Sequence, residues 1–168
     1  MLKVRSCRLW QLLKHAVTVE TPAPGRIQPA RRPAIVAGLV ELLGEKDVRS
    51  DKDTLAQYGL DWTRFYQPDP TAVVFVRSVA QVVALVRFAN QHKLGLVPSG
   101  GRTGLSGGAV ARDGEVVVSF EKMNGVLDFN RTESTVTVEP GVITAQLQAF
   151  AGAQGLYYPV DFASAGSS

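Results

Sequence analysis

Apolar positions between Ala34 and Leu43 (Ile35, Val36, Leu39, Val40, Leu42, Leu43) recur with a helical period, and Gly44 stands where a glycine would end that helix. A polar stretch follows from Glu45 to Asp69 and contains Tyr58, Asp61, Trp62 and Tyr66; its aromatics predict a lid or flap packed onto the domain, with ligand binding as the alternative. Past Pro70 the uninterrupted run Val73-Val74-Phe75-Val76 reads as a fully buried strand. Ser78 and Gln81 have the spacing of a capping box and open a helix whose apolar face is Val79, Val82, Val83, Val86 and Ala89. His92 falls in its last turn, where a partial positive charge suits the helix dipole, and is read as structural. Leu94 to Pro98 then returns as a strand. Strand, helix and strand with a short return form a βαβ unit, which implies a parallel pair.

Three further strands are predicted, over Val116 to Phe120, Val126 to Phe129 and Thr135 to Val138. Asn124-Gly125 marks a turn before the second, and Asn130-Arg131-Thr132-Glu133 joins the second to the third. A last helix runs from about Thr144 to Ala153 with Leu147, Phe150 and Ala151 inward and Gly155 at its end. The pattern is α+β: a βαβ start that passes into a mixed, strand-rich subdomain.

Between the second and third strands, residues 100–108 hold five glycines: Gly100, Gly101, Gly104, Gly107 and Gly108. Such a run gives up packing for close approach of a ligand to the main chain, and successive amide N–H groups form a nest for an anion such as a phosphate or pyrophosphate. Thr103 and Ser106 are spaced to add hydroxyl donors. The P-loop pattern is excluded because no lysine occurs between Lys93 and Lys122, and G-x-G-x-x-G fails at Arg102 and Ser106. A flexible surface loop is the plainer alternative.

Charge alters the picture less than its total suggests. Of the 18 basic and 15 acidic residues, seven basic side chains but only Glu20 among the acids lie in residues 1–33, so the rest of the chain is net negative by three. Nucleic-acid binding is therefore not expected, and no apolar run is long enough for a membrane span. The leader, residues 1–33, mixes arginine with Pro22, Pro24, Pro29 and Pro33 and reads as disordered. It lacks the apolar core of a secretory signal; a transit segment, a dispensable extension and a start codon set too far upstream stay open. The lone Cys7 fits a reducing compartment, hence a cytoplasmic location, with a mitochondrial one if the leader is a transit segment. Only His15 and His92 are histidines, so neither a metal site nor a catalytic residue is recognised.

Three stretches in order, Pro98 to Gly108, Val138 to Val142 and Pro159 to Ser168, resemble the first part of the flavin-binding domain of the vanillyl-alcohol oxidase and p-cresol methylhydroxylase (PCMH-type) superfamily. Within it the likeness is to the FAD-linked 2-hydroxy acid dehydrogenases: D-2-hydroxyglutarate dehydrogenase, D-lactate dehydrogenase and the glycolate oxidase flavoprotein subunit. The resemblance implies a PCMH-type FAD-binding domain. Along the pyrophosphate it places Pro98 and the main chain of Gly100, Gly101, Arg102, Thr103 and Gly104, supported by Ser106 and Gly107. Gly141 and Val142 would turn beneath the cofactor, and Pro159, Asp161, Ala165, Gly166 and Ser167 would begin a second loop along pyrophosphate and flavin. In relatives that tether FAD covalently a histidine often follows the paired glycines; Arg102 stands there, so FAD is expected to be held without a covalent bond.

The expected division is a disordered basic leader over 1–33, a helical segment over 34–69, and the first part of the FAD-binding domain over 70–168, incomplete at its C-terminus. The implied function is FAD binding within a dehydrogenase that oxidises a D-2-hydroxy acid to a 2-oxo acid. The small-molecule acid would be recognised by a missing C-terminal domain and the electrons passed to an unidentified acceptor, so the isolated chain is expected to be inactive. The alternative is a non-catalytic anion- or nucleotide-binding module.

Overall fold

The computed structural model describes residues 3–5 and 25–167. These fall into two compact units: residues 25–122, and residues 3–5 with 123–167. Among the described residues no helix is long and apolar enough to cross a membrane.

The first unit is built on a four-stranded sheet. Its centre is β3 (Ala72–Phe75) beside β5 (Val116–Ser119), whose four residues are all buried; β2 (Val48–Arg49) and β4 (Leu96–Ser99) form the edges, in the order β2-β3-β5-β4. β3 and β4 both run parallel to β5, with Ala72 and Leu96 each opposite Val116, and β2 is antiparallel to β3. Continuous valine runs suit such strands because helices and loops cover both faces of a parallel sheet. The βαβ expectation therefore needs a correction. β3 and β4 share a direction, but β5 lies between them. A crossover helix sets strand direction, not adjacency, and a strand as buried as β5 needs partners on both edges.

Two longer helices pack in this unit, α1 (Arg32–Leu43) and the crossover helix α3 (Val79–His92); the short α2 (Lys52–Tyr58) lies between them in sequence. α3 buries Val82, Leu85 and Ala89, so Leu85 takes the place expected for Val83 and Val86. Ser78 Oγ accepts from Gln81 N–H, but Gln81 Oε1 accepts from Arg77 N–H rather than from Ser78, so the box is opened by one residue. The His92 ring lies 4.2 Å from that of Phe88, and its carbonyl accepts from Arg31 Nη2. α2, which the polar stretch 45–69 concealed, is capped by Asp51 accepting from Thr54 N–H at 2.9 Å.

The leader read as disordered over 1–33 differs from what is observed. Ile27 is 2% exposed and donates its N–H to the Asp113 carbonyl at 2.7 Å. It sits against Gly114, whose φ of +85° favours glycine and where a Cβ would come within 2.6 Å of Ile27 Cβ. Asp69 accepts from both ends of the Arg32 guanidinium at 2.7 Å and from Arg26 at 3.1 Å. Residues 25–33 thus belong to the folded unit, tied to it by the buried Ile27 and by the bonds of Arg26 and Arg32 to Asp69. Further back, β1 (Lys3–Arg5) pairs in parallel with β7 (Thr135–Val138). The expectations for Cys7, His15 and a transit segment lie outside the described residues.

In the second unit β6 (Val126–Asn130) and β7 are antiparallel, with a bulge between Val126 and Asp128, and the order is β1-β7-β6. Helix α4 (Thr144–Ala153) buries Leu147 and Ala151 against Val136, while Phe150 meets Phe129 edge-on at 5.4 Å. Asn124-Gly125 does not close a hairpin with the preceding strand. Gly125 instead exchanges two hydrogen bonds with Glu139, one to its side chain at 2.8 Å and one from its backbone at 2.9 Å.

Candidate functional site

The glycine loop leaves the carboxyl end of β4, the end at which parallel α/β sheets generally hold ligands. Its back is fixed by the flap. Asp61, 5% exposed, accepts from Gly107 N–H at 2.8 Å through Oδ2 and from Thr63 Oγ1 and N–H at 2.6 and 3.0 Å through Oδ1. Trp62 N–H donates to the Gly104 carbonyl at 3.1 Å, and Ala111 N–H to the Gly59 carbonyl at 3.1 Å. Gly107 has φ +76°, and a Cβ on it would meet the Tyr66 ring at 2.9 Å. The Thr63 hydroxyl bond, with the Thr63 and Gly107 N–H groups, holds the Asp61 carboxyl below the usual carboxylate range although burial opposes this.

The front of the loop is unspoken for. Among the described residues, the N–H groups of Gly100, Gly101, Arg102, Thr103 and Gly104 donate to no protein acceptor. Among the described residues, a Cβ on Gly100 would meet nothing within 4 Å, and Ser99 Oγ, fully buried where β4 enters the loop, has no partner. Free amides, open space beside Gly100 and an orphaned hydroxyl suit an anionic diphosphate held by the main chain. Thr103 is half-buried and Ser106 exposed.

Arg102 has φ +56°, and its guanidinium folds back, donating to the Gly100 carbonyl at 3.2 Å and lying 4.2 Å over the Tyr58 ring. Tyr58 in turn packs edge-on against Phe75 and donates its hydroxyl to Glu121 at 2.8 Å. Burial raises the Tyr58 pKa, and the bond to the Glu121 carboxylate raises it further. Tyr58 and Glu121 also line a polar cavity of about 430 Å³ together with Lys46, Arg49, Lys122 and an Asp47–Arg77 ion pair.

Pro98 is exposed within β4 of the first unit, and the remaining predicted site residues lie in the second unit. Gly141 N–H donates to the Met123 carbonyl at 2.8 Å, while Val142 packs against the Val136, Leu147 and Ala151 core. Pro159 and Asp161 are exposed; Gln148 Nε2 holds the Val160 carbonyl at 2.8 Å, and Ala145 N–H at the start of α4 holds the Ala165 carbonyl at 3.0 Å. Gly166 and Ser167 continue that turn, with Ser167 N–H donating to Ser164. The structure thus gathers Gly100 to Gly107 on one loop of the first unit, and brings the Gly141 turn and the 159–167 segment to the start of α4 in the second.

The aromatics of the 45–69 stretch predict a flap, but not that Asp61 and Tyr66 grip the loop. Asp61-x-Thr63 does carry the local signature of an aspartate that bonds the backbone two residues on. No local signal could pair it with Gly107.

Residues 70–168 match the family described as FAD binding domain. The D-2-hydroxyglutarate dehydrogenase of Stutzerimonas stutzeri (strain A1501) is 58% identical over 81% of this chain and 29% of its own length, and that of Xanthomonas citri pv. viticola is 49% identical over 71% and 25%. The chain therefore spans less than a third of the curated relatives it matches. Among solved structures, p-cresol methylhydroxylase with substrate bound superimposes with a TM-score of 0.68 at 24% identity, over 77% of this chain and 26% of that one. The α+β, PCMH-type fold expected from the resemblance is the fold observed.

Proposed function

The chain belongs to the FAD-binding-domain family, and from that premise we propose that it supplies cofactor binding to an FAD-dependent dehydrogenase of D-2-hydroxy acids, with 2-hydroxyglutarate the first candidate. The single observation behind the placement of the cofactor is the row of N–H groups from Gly100 to Gly104 that have no partner among the described residues, on a loop that the flap holds at Gly104 and Gly107. In this reading those amides and the Ser99 hydroxyl bind the diphosphate, with Pro98 entering the loop and Thr103 and Ser106 beside it. Gly141, Val142, Pro159, Asp161, Ala165, Gly166 and Ser167 are proposed as cofactor contacts on the resemblance alone.

When bound, FAD would supply an acceptor for the hydride of the substrate's α-carbon, which together with loss of the hydroxyl proton turns the 2-hydroxy acid into a 2-oxo acid. The chain's own residues orient and desolvate the cofactor. Arg102, where a tethering histidine would stand, points its guanidinium at Tyr58, and a guanidinium offers no nucleophile for a covalent flavin bond; the cofactor is held non-covalently. A cytoplasmic location belongs to the same proposal, with the mitochondrion as the alternative that a basic leader allows.

The test is titration of the purified chain with FAD, ADP and AMP, followed by acid denaturation of the FAD complex. Preference for FAD, loss of binding in Gly101→Val and release of all flavin into the acid supernatant are expected. Equal affinity for ADP and FAD would favour a general anion-binding module instead.

A further inference from the structure

Building on the reading of the Gly100 to Gly107 loop as the diphosphate site, we propose that Asp61 is a positioning residue for FAD: its buried carboxylate holds the back of the loop and keeps the front amides open to the cofactor. A carboxylate this buried is uncommon unless paired, and here its partners are N–H and O–H donors of the flap and of the loop itself. Three hydrogen bonds converge on its two oxygens, the one from the loop being Gly107 N–H.

The consequence is directional. The Gly104 carbonyl is drawn back to Trp62 N–H, so the Leu105 N–H on the same trans peptide points the opposite way, away from the flap. Gly107 N–H is drawn back to Asp61, and the Tyr66 ring fills the space under Gly107. A loop with this many glycines loses an unusually large conformational entropy when it is ordered. With Asp61 and the flap holding it, that entropy is lost on folding. Without Asp61 it is charged to cofactor binding, and a ligand that selects one conformer from many binds more weakly by the fraction populated.

The test uses the full 168-residue chain and four variants: Asp61→Ala, Asp61→Asn, Gly101→Val to probe the loop reading itself, and Asp51→Ala, which removes a similar backbone-binding carboxylate from α2. FAD affinity is read by flavin fluorescence and amide exchange is followed at Gly107 in the unliganded chain. Asp61→Ala is expected to weaken FAD at least tenfold and to expose the Gly107 amide, and Asp51→Ala to leave both unchanged. Asp61→Asn keeps an acceptor for Gly107 but turns an amide toward Thr63 N–H, so it falls between Asp61→Ala and the wild type. If Asp61→Ala fails to fold, Asp61→Asn must still weaken FAD at least threefold. FAD binding lost in Gly101→Val but reduced by less than these factors in the Asp61 variants would overturn the role of Asp61 and leave the loop reading standing. FAD binding unaffected in Gly101→Val, or absent from the wild type, would overturn the loop reading and this inference with it.

Discussion

Gly107→Ala isolates how much of the loop's shape rests on one residue. Gly107 lies at φ +76°, where a side chain costs about 1–2 kcal/mol relative to glycine. The new methyl would also sit 2.9 Å from Tyr66 Cε2 and 3.5 Å from Cδ2. The ring must therefore swing away and give up its stack under Arg112, whose guanidinium lies 4.5 Å from the ring centroid, at a further cost of about 0.5–1 kcal/mol. Together these come to roughly 1.5–3 kcal/mol, which corresponds to a roughly 10- to 150-fold shift away from the observed loop conformer. Gly100→Ala is the matched comparison, because its Cβ meets nothing within 4 Å and its φ is not in the left-handed region. Urea denaturation and FAD titration of both variants separate the effects. Gly107→Ala should lose stability and FAD affinity together; Gly100→Ala should keep stability and lose affinity only where the cofactor approaches the main chain. A Gly107→Ala chain within about 0.5 kcal/mol of wild type, with its FAD affinity intact, would refute both the strain and the role given to the loop.

Two further outcomes follow from the charges and rings. Hydrogen bonds from Arg32, then the Arg26 contact, hold the Asp69 pKa below its ordinary value against the opposing effect of burial. Its contribution is therefore complete above about pH 4 and disappears as pH falls through the depressed folded value. Asp69→Asn should cost about 1–2 kcal/mol in urea unfolding at pH 7, with the gap to wild type closing as pH falls through the depressed folded value; a gap that stays constant would show that the arginine clamp is not the cause. Tyr58→Phe removes only the hydroxyl bond to Glu121 and should cost about 0.5–1 kcal/mol with FAD affinity unchanged, whereas Tyr58→Ala removes the surface under Arg102 and should weaken FAD; equal effects in fluorescence titration would contradict that division.

The elements legible in the chain were those whose signal is local. Buried valine runs marked β3 and β5, the period of α4 placed Leu147 and Ala151 inside, and the clustered glycines located the loop and, with two other stretches, its family. Periodicity reports which face is buried, and glycine reports where a backbone needs room; both are properties of a few consecutive residues. What tertiary structure alone decided joins residues far apart. β5 enters between β3 and β4, Ile27 docks on Gly114 and so orders part of a segment whose composition reads as disordered, and Asp61 reaches 46 positions along the chain to Gly107. Each of these depends on which surfaces remain unpaired once the sheet has formed. A long loop can be closed for a modest entropic cost, so many partners were open to Asp61, and packing, not local sequence, selected one.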